Sequence, residues 1–338
     1  MTPTAMTAQE VIDGNATWAV EQADCLAWLN ALPADSVDLC VFSPPYEAAR
    51  TYGIDFKLRG QAWVDWMVEV FRACQRVCKG LVACVCAGQT RNYRWSATPA
   101  LLLADLHRAG FNLRPPCWFH RVGIPGSGGP DWFRGDVEFI VCTTRPGRLP
   151  WSDNKACGHP PKWAPGGEIS HRTASGERVN AREAMGFGGM PEGEPEAEAA
   201  NRNGRRLERG NPKGSCKGRR VVRGSANGDT LTSDSYNPPA IVNPGTVIAC
   251  KVGGGLMGHK LAHENEAPFP LGIPERFVRS CCPPNGIVLD PFSGSGTTGH
   301  AALAWGRRFI GCDVRESQVE LTKRRLAGIT PTMFLEAP

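Results

Sequence analysis

Apolar residues along the chain follow two patterns. Short continuous runs at 37–42 and 287–289 are typical of buried strands, whereas between 62 and 78 the apolar residues recur every three or four positions, as on one helix face. In chain order the pattern predicts strands over 16–20, 37–42, 81–87, 116–122, 137–143, 246–250, 287–289 and 308–312, and helices over 25–32, 62–78, 98–109, 274–281, 297–305 and 315–326. Short apolar strands that alternate with helices predict an α/β fold with a doubly wound, mostly parallel sheet.

The pattern weakens between residues 146 and about 244, where Gly, Pro, Asn, Arg and Glu are common and apolar runs are few. Such a composition cannot build a large core, so we expect a loop-rich insertion there. The chain is therefore predicted to divide into residues 1–145, an insertion over 146–245, and residues 246–338.

Composition narrows the class of protein. The chain has 338 residues and 41% hydrophobic content, and no apolar run approaches the roughly 18 residues of a membrane span. The first residues lack the pattern of a secretory signal. Most of the fourteen cysteines lie in apolar segments and form no paired CxxC motifs, which predicts reduced, buried thiols in a cytoplasmic protein and no zinc site.

Positive charge is concentrated within the insertion. The formal net charge is only +5, but residues 201–223 carry a run of basic side chains against the single acid Glu208. A cluster of this kind is typical of binding to phosphate backbones, although a solvated loop is an equally good interpretation of the run alone. The candidate DNA-binding residues are Arg202, Arg205, Arg206, Arg209, Lys213, Lys217, Arg219 and Arg220.

A glycine-rich turn follows the predicted strand 287–289. Asp290 stands at the strand end, and Gly294-Ser295-Gly296 lets the backbone turn tightly and approach a ligand before the next helix. Free N–H groups at that helix start, with the Thr297 and Thr298 hydroxyls, can hold an anion. The following strand leads to Asp313, an acid suited to two ribose hydroxyls. Together these features favour an adenosine-type cofactor over a plain strand-to-helix turn.

Two other nucleotide sites fit this turn less well. A P-loop has Lys before its Ser or Thr, whereas Gly296 stands in that place here. The glycines at 294, 296 and 299 match a dinucleotide fingerprint only formally, because the lead-in from Asp290 is not that of a dehydrogenase.

A second loop, Ser43-Pro44-Pro45-Tyr46, follows the strand 37–42. With residues 24–46 around it and the segment 290–298, it resembles the amino-group DNA methyltransferases. The segment 263–271 is similar to the element that precedes the cofactor loop in that family. The catalytic loop comes first and the cofactor loop last, an order that resembles the circularly permuted beta group. The resemblance covers roughly residues 17–145 and 246–327.

The resemblance implies a Rossmann-like, S-adenosylmethionine-dependent methyltransferase fold that is circularly permuted. It assigns residues 1–145 to the catalytic part, 246–338 to the cofactor-binding part, and the insertion to target recognition. The implied catalytic residues are Ser43, Pro44, Pro45 and Tyr46, and the implied cofactor-binding residues are Asp24, Phe269, Asp290, Phe292, Gly294, Ser295, Gly296, Thr297, Thr298 and Asp313. Asp24 is also a natural helix N-cap, and both roles can hold.

The chemistry of amine methylation explains the catalytic loop. An exocyclic base nitrogen shares its lone pair with the ring and is a poor nucleophile. The Ser43 hydroxyl oxygen and the Pro44 carbonyl can accept its two hydrogens, which directs the lone pair towards the methyl group. The two prolines hold these acceptors in place, and Tyr46 can stack on a base that has flipped out of the duplex.

Ser43 bears on the target base. In the family that the chain resembles, Ser at this position accompanies N4-cytosine methylation more often than N6-adenine methylation, which leaves N6-adenine as the alternative. Carbon-5 methylation needs a nucleophilic Cys, but Cys117 lies in an apolar strand, where we expect Cys117, Trp118 and Phe119 to pack. A DNA-binding protein without turnover is a third possibility.

The expected partners are double-stranded DNA and S-adenosylmethionine, with no metal and no membrane. A cognate restriction endonuclease is a further possible partner, and a solitary enzyme is the alternative. The sequence leaves monomer and homodimer open.

Overall fold

Helices and strands alternate along most of the chain. The computed structural model describes residues 6–47, 55–123, 131–161, 170–172, 178–180, 239–252, 259–265 and 268–329. The helices are α1 (Ala8–Ile12), α2 (Cys25–Ala31), α3 (Gly60–Val77), α4 (Thr98–Arg108), α5 (Gly272–Cys281), α6 (Thr297–Ala304) and α7 (Glu316–Ala327), with a 3-10 helix over Lys260–Glu264. The strands are β1 (Trp18–Gln22), β2 (Val37–Phe42), β3 (Cys78–Cys86), β4 (Thr90–Arg91), β5 (Arg94–Trp95), β6 (Asn112–Leu113), β7 (Cys117–Val122), β8 (Val137–Thr144), β9 (Ser170–Arg172), β10 (Arg178–Asn180), β11 (Val247–Lys251), β12 (Ile287–Asp290) and β13 (Arg308–Asp313).

The main sheet of the described residues has nine strands. Their order is β1-β13-β12-β2-β3-β8-β7-β11, and β6 pairs with β8. From β1 to β3 all neighbours run parallel, whereas β8 is antiparallel to both β3 and β7. The mostly parallel sheet predicted from the sequence is confirmed, with β8 as the antiparallel exception.

Strands β2 and β12 lie side by side at the centre of this sheet, although they are far apart in the chain. Leu39 pairs with Val288 and Cys40 with Leu289 in parallel register. Because parallel neighbours end at the same edge of a sheet, the loops after β2 and β12 leave from adjacent positions. These are the two loops that the sequence singled out.

Both faces of the sheet are covered, which explains why its central strands are mostly apolar. Val82 and Cys84 of β3 point into a core that includes α2, α3 and α4, and Ala83 and Val85 point into a second core with α5, α6 and α7. This alternation follows from the two-residue period of a strand. Helix α3 contributes the fully buried Met67 and Phe71. Burial of a side chain of this size stabilises the fold by about 1.5–3 kcal/mol.

The boundaries of the predicted elements agree with the structure to within about two or three residues, and several short elements were missed. Helix α1 begins at a capping box in which Thr7 and Glu10 exchange hydrogen bonds. The two-residue strands β4 and β5 form a hairpin. None of these segments is long enough to show a periodic apolar pattern.

The chain separates into two compact units, 1–157 with 245–338, and 158–244. The first contains the main sheet and its helices. Within the second, β9 and β10 form an antiparallel pair, and the backbones of His159 and Val242 form an isolated bridge. Of the helices described, none is both long and apolar enough to cross a membrane.

Candidate active site

The loops after β2 and β12 open into one cleft of about 760 Å³. Ser43, Pro44, Pro45 and Tyr46 line it from one side. The predicted cofactor residues that line it are Asp24, Phe269, Phe292, Gly294 and Asp313. The structure therefore brings the catalytic loop and part of the cofactor loop to a common space.

The glycine-rich loop has a backbone that only glycine adopts easily. Gly294 and Gly296 have φ of 51° and 75°. A Cβ atom at Gly294 would lie 2.9 Å from Asn265 Nδ2, and one at Gly296 would lie 2.7 Å from Thr322 Cγ2. The Thr322 hydroxyl donates to the Gly294 carbonyl over 2.8 Å and so ties the turn to α7. The turn keeps the cleft floor free of side chains here.

Asp313 is held at the end of β13 by backbone donors. Its Oδ2 accepts from the Gly294 N–H over 3.0 Å, and its Oδ1 accepts from the Arg315 N–H over 3.0 Å. Burial raises the pKa of this carboxyl, while the Arg315 and Gly294 bonds oppose the shift. The carboxylate is fixed beside the glycine turn and faces the cleft.

Asp24 caps a helix and also lies in the wall of the cleft. Its Oδ1 accepts from the N–H groups of Leu26 and Ala27, at 3.1 and 3.0 Å, and caps α2. The residue also lines the cleft, and the neighbouring Ala23 N–H donates to the Asp313 carbonyl.

Hydrogen bonds to residues of α3 and α4 hold the catalytic loop in place on the side away from the cleft. The Pro45 carbonyl accepts from Trp63 Nε1 of α3 over 2.9 Å. Glu47, only 5% exposed, accepts from the Gly60 N–H over 2.7 Å and from the Thr98 hydroxyl over 3.2 Å. The loop is thereby attached to the starts of α3 and α4. Sequence reasoning missed Glu47, because its partners are distant along the chain.

A hydrogen-bonded chain crosses the catalytic side of the cleft. The Ser43 hydroxyl donates to the Tyr46 hydroxyl over 3.4 Å, and Tyr46 donates to Glu138 Oε2 over 2.8 Å. Arg121 Nη1 lies 3.3 Å from Glu138 Oε1. Burial raises the pKa of Tyr46, and the charge of Glu138 acts in the same direction. Tyr46 is therefore a neutral donor whose ring is held in one orientation.

Aromatic rings form one wall of the cleft. Phe292 packs between Trp66 and Phe42, with ring centroids at 5.7 and 5.6 Å, and Phe56 packs on the far side of Trp66. The wall offers flat apolar surfaces next to the polar groups of Asp24 and Asp313, so the residues present fit a nucleoside with a hydroxylated sugar.

Comparison with known proteins identifies the family. Residues 37–324 match the model of the N6/N4 DNA methylases, described as DNA methylase. The chain belongs to the N6/N4 DNA methylase family. Its membership confirms the resemblance seen in the sequence, and with it S-adenosylmethionine as the cofactor.

Individual relatives differ in how much of their sequence matches this chain. DNA adenine methyltransferase YhdJ of Escherichia coli K12 is 25% identical over 93% of this chain and 84% of its own length. Type II methyltransferase M2.MboI of Moraxella bovis is 44% identical over 32% of this chain. Matches to the type II methyltransferases M.ScaI and M2.MboI span 22% and 34% of those proteins.

A solved structure confirms the fold. The cytosine-N4-specific PvuII DNA methyltransferase superposes with a TM-score of 0.57 over 93% of this chain and 89% of its own, at 16% identity. The Rossmann-like methyltransferase fold predicted for this chain is therefore confirmed.

Five of the predicted cofactor residues do not line the cleft. They are Asp290, Ser295, Gly296, Thr297 and Thr298, and all are buried behind its floor. Thr298 donates to the Val41 carbonyl over 3.2 Å, and the Thr297 hydroxyl accepts from Arg325 over 3.0 Å. The expected use of both hydroxyls to hold an anion differs from this geometry, because both side chains are buried away from the cleft and the Thr298 hydrogen is already donated to Val41.

Asp290 is an unusual buried acid. Burial raises the pKa of its carboxyl to about 7 and the charge of Asp313 adds to the shift, whereas the nearby Thr298 hydroxyl and the Phe292 N–H oppose it. The Phe292 N–H donates to its Oδ1 over 2.9 Å. The acid thus shapes the turn from behind the cleft.

The sequence did not point to some of the other residues that line the cleft. Phe119, expected to pack, does so with 3% exposure and also lines the cleft; Trp118 does not line it. The signal for Glu138 was an acid among the apolar residues of β8. The predicted DNA-binding residues between Arg202 and Arg220 lie outside the described residues.

Proposed function

We propose that this chain transfers a methyl group from S-adenosylmethionine to the exocyclic N4 amine of cytosine in duplex DNA, by flipping the base and transferring the group directly. The observation that carries the proposal is the position of Ser43, in the same cleft as Gly294 and Asp313. A hydroxyl at the first position of the catalytic loop is the feature that favours cytosine.

The cofactor is proposed to lie along the β12 and β13 side of the cleft. Asp313 would accept from the ribose hydroxyls, Asp24 would contact the adenine amine, and Phe292 and Phe269 would pack against the ligand. Gly294 lets the backbone come close to it. Bound there, S-adenosylmethionine supplies an electrophilic methyl group.

Ser43 and Pro44 are proposed to hold the target amine. In the described contacts the Ser43 hydroxyl hydrogen points to Tyr46, so the lone pairs of the oxygen remain to accept an amine hydrogen. The Pro44 carbonyl would accept the second. Trp63 and Glu47 restrain the loop that carries these acceptors, which reduces the reorganisation needed on reaction.

Tyr46 is proposed to stack on the flipped base, and Glu138 is proposed as its positioning residue. The carboxylate accepts the Tyr46 hydroxyl hydrogen and so fixes both the ring and the direction of the bond from Ser43. Arg121 supports Glu138 from the other side.

N6-adenine methylation is the second candidate. The match to DNA adenine methyltransferase YhdJ along 93% of this chain favours it. Both reactions use the same two acceptors, because the exocyclic amines of cytosine and adenine each present two hydrogens.

Incubation with tritiated S-adenosylmethionine and unmethylated genomic DNA, followed by nucleoside analysis, tests the proposal. We expect label in N4-methylcytosine. Label in N6-methyladenine would establish the second candidate instead, and DNA binding without label would contradict both.

Ser43→Ala is the matched variant for this experiment. It removes the acceptor and leaves the cofactor side of the cleft unchanged. We expect transfer to fall by about 100-fold or more, as when one preorganised hydrogen bond to the reacting group is removed, with cofactor affinity unchanged. Transfer at the wild-type rate would remove the proposed role of this hydroxyl.

The proposed macromolecular partner is double-stranded DNA. The names of M.ScaI and M2.MboI as type II methyltransferases support a restriction-modification setting, and hence a cognate endonuclease. The described cysteines are free and mostly buried, which suits a reducing compartment.

A further inference from the structure

The β4–β5 hairpin has a strained tip. Arg91 pairs with Arg94 across a two-residue turn in which Asn92 and Tyr93 have φ of 48° and 60°. Left-handed backbone at both positions is typical of a type I′ turn, whose second position usually holds glycine. A tyrosine at that position is strained, since its Cβ crowds the backbone.

The Tyr93 side chain is not part of the core. It is 81% exposed, and all residues from Thr90 to Trp95 are exposed. The strained backbone at this position lowers the stability of the folded state, and the exposed ring offsets none of that cost through burial. Backbone strain of this kind is often kept where a function uses it, and a partner that contacts the ring would use it.

The base of the hairpin is fixed beside the cleft. Gly88 and Gln89 line the cleft directly before β4. The Gln89 N–H donates to Ser96 Oγ over 3.0 Å, and the Ser96 N–H donates to the Gln89 carbonyl over 2.9 Å. Trp95 stacks on Phe139 with centroids 6.4 Å apart.

The same base is connected to the catalytic loop. Ser96 Oγ lies 3.4 Å from the Thr98 hydroxyl, which donates to Glu47, the residue after Tyr46. The strained tip is therefore carried on a support shared with the catalytic loop.

The chemistry of the tip matches duplex DNA. An aromatic ring can enter a base stack, and flanking guanidinium groups can contact phosphates. A base that leaves the duplex creates a gap in the stack, and filling that gap favours the flipped state.

We propose that the β4–β5 hairpin contacts duplex DNA beside the flipped base, with the Tyr93 ring inserted into the stack and Arg91 and Arg94 near the phosphates. The inference rests on the proposed function, because it assumes that the substrate is duplex DNA.

Tyr93→Gly separates this role from a structural one. Glycine relieves the strained backbone and removes the ring, so the melting temperature should rise. The kcat/KM for methylation should nevertheless fall by about tenfold or more, the scale of removing one aromatic–base stack. Tyr93→Phe, which keeps the ring, should match the wild type.

The substrate is a synthetic duplex carrying the site located by sequencing DNA that the wild-type protein has methylated. A second duplex has a mismatch opposite the target base, which makes flipping easier. Tyr93→Gly should lose much less activity on the mismatched duplex than on the paired one.

The outcomes separate this inference from the proposed function. Failure of the wild-type protein to methylate any DNA contradicts the proposed function. With an active wild type, the inference is overturned by a Tyr93→Gly variant that matches it on paired duplex, that loses equally on both duplexes, or that melts at a lower temperature.

Discussion

At the scale of single residues, the Glu138 carboxylate determines the direction in which the hydroxyl groups of Ser43 and Tyr46 donate their hydrogens. It accepts from Tyr46 at one oxygen and faces Arg121 at the other. A glutamine there would turn its carbonyl to Arg121, since a guanidinium can only donate. Its amide nitrogen would then donate to Tyr46, whose own hydrogen would turn to Ser43, occupy one of its two lone pairs and compete with the amine hydrogen.

Glu138→Gln should therefore lower kcat by about 10- to 100-fold, with little change in the affinity for the cofactor. Adding Arg121→Met lets the amide rotate and accept from Tyr46 again. The double variant should be faster than Glu138→Gln alone, as measured by single-turnover methyl transfer. A double variant that is as slow or slower would show that the direction of the hydrogen bonds is unimportant.

Asp290 predicts a pH effect on stability. Burial raises its folded pKa to about 7, well above the roughly 3.9 of an unfolded aspartate. Between these values the folded protein holds a proton that the unfolded chain releases, so the stability contribution of this residue is present below about pH 4 and falls as the pH rises to 7.

Asp290→Asn removes this titration. The free energy of unfolding of the variant, relative to wild type, should rise between pH 4 and 7 by a few kcal/mol, and then level off. Urea unfolding across that range measures the difference. If this difference does not change with pH, the Asp290 carboxyl has the same pKa in the folded and unfolded protein.

At the scale of elements, the turn between β12 and α6 depends on glycine for two separable reasons. Gly296→Ala would place a residue with a side chain at a φ of 75° and a Cβ 2.7 Å from Thr322 Cγ2. We expect a loss of about 1–2 kcal/mol from the backbone and about 1 kcal/mol more from crowding, measured by urea unfolding.

Thr322→Ser supplies the control, because serine lacks the crowding methyl and keeps the hydroxyl that bonds to Gly294. In the Gly296→Ala background it should restore only the crowding part. Full recovery would mean that the backbone conformation costs nothing, and no recovery would mean that the methyl is not in the way.

The same scale shows what sequence patterns can predict. Strands β2 and β12 were predicted because their apolar runs are local. The bond from Tyr46 to Glu138 joins residues 92 positions apart, and no local pattern encodes it. The Thr298 hydroxyl was assigned to a ligand because the neighbouring Val41 carbonyl, 257 positions away, cannot be seen in the sequence.

At the scale of the whole molecule, DNA affinity is expected to depend on the basic run of the insertion, which lies outside the described residues. Charge reversal at Arg205, Arg206 and Arg209 should weaken binding to duplex DNA. The slope of log affinity against log salt concentration should also become shallower, by about 0.9 for each phosphate that the protein no longer neutralises. Fluorescence anisotropy at several salt concentrations measures both the affinity and the slope. An unchanged slope would show that the basic run does not contact the DNA phosphates.

The side-by-side placement of β2 and β12 also governs how the protein is made. The Ile287 N–H donates to the Asp38 carboxylate over 2.8 Å, across 249 positions of chain. A ribosome therefore releases β2 long before β12 exists, and the edge of β2 that pairs with β12 stays unpaired while the residues between the two strands are synthesised. Because contacts of such long range form slowly, the nascent chain exposes the unpaired edge of an apolar strand, which chaperones are suited to cover until β12 emerges.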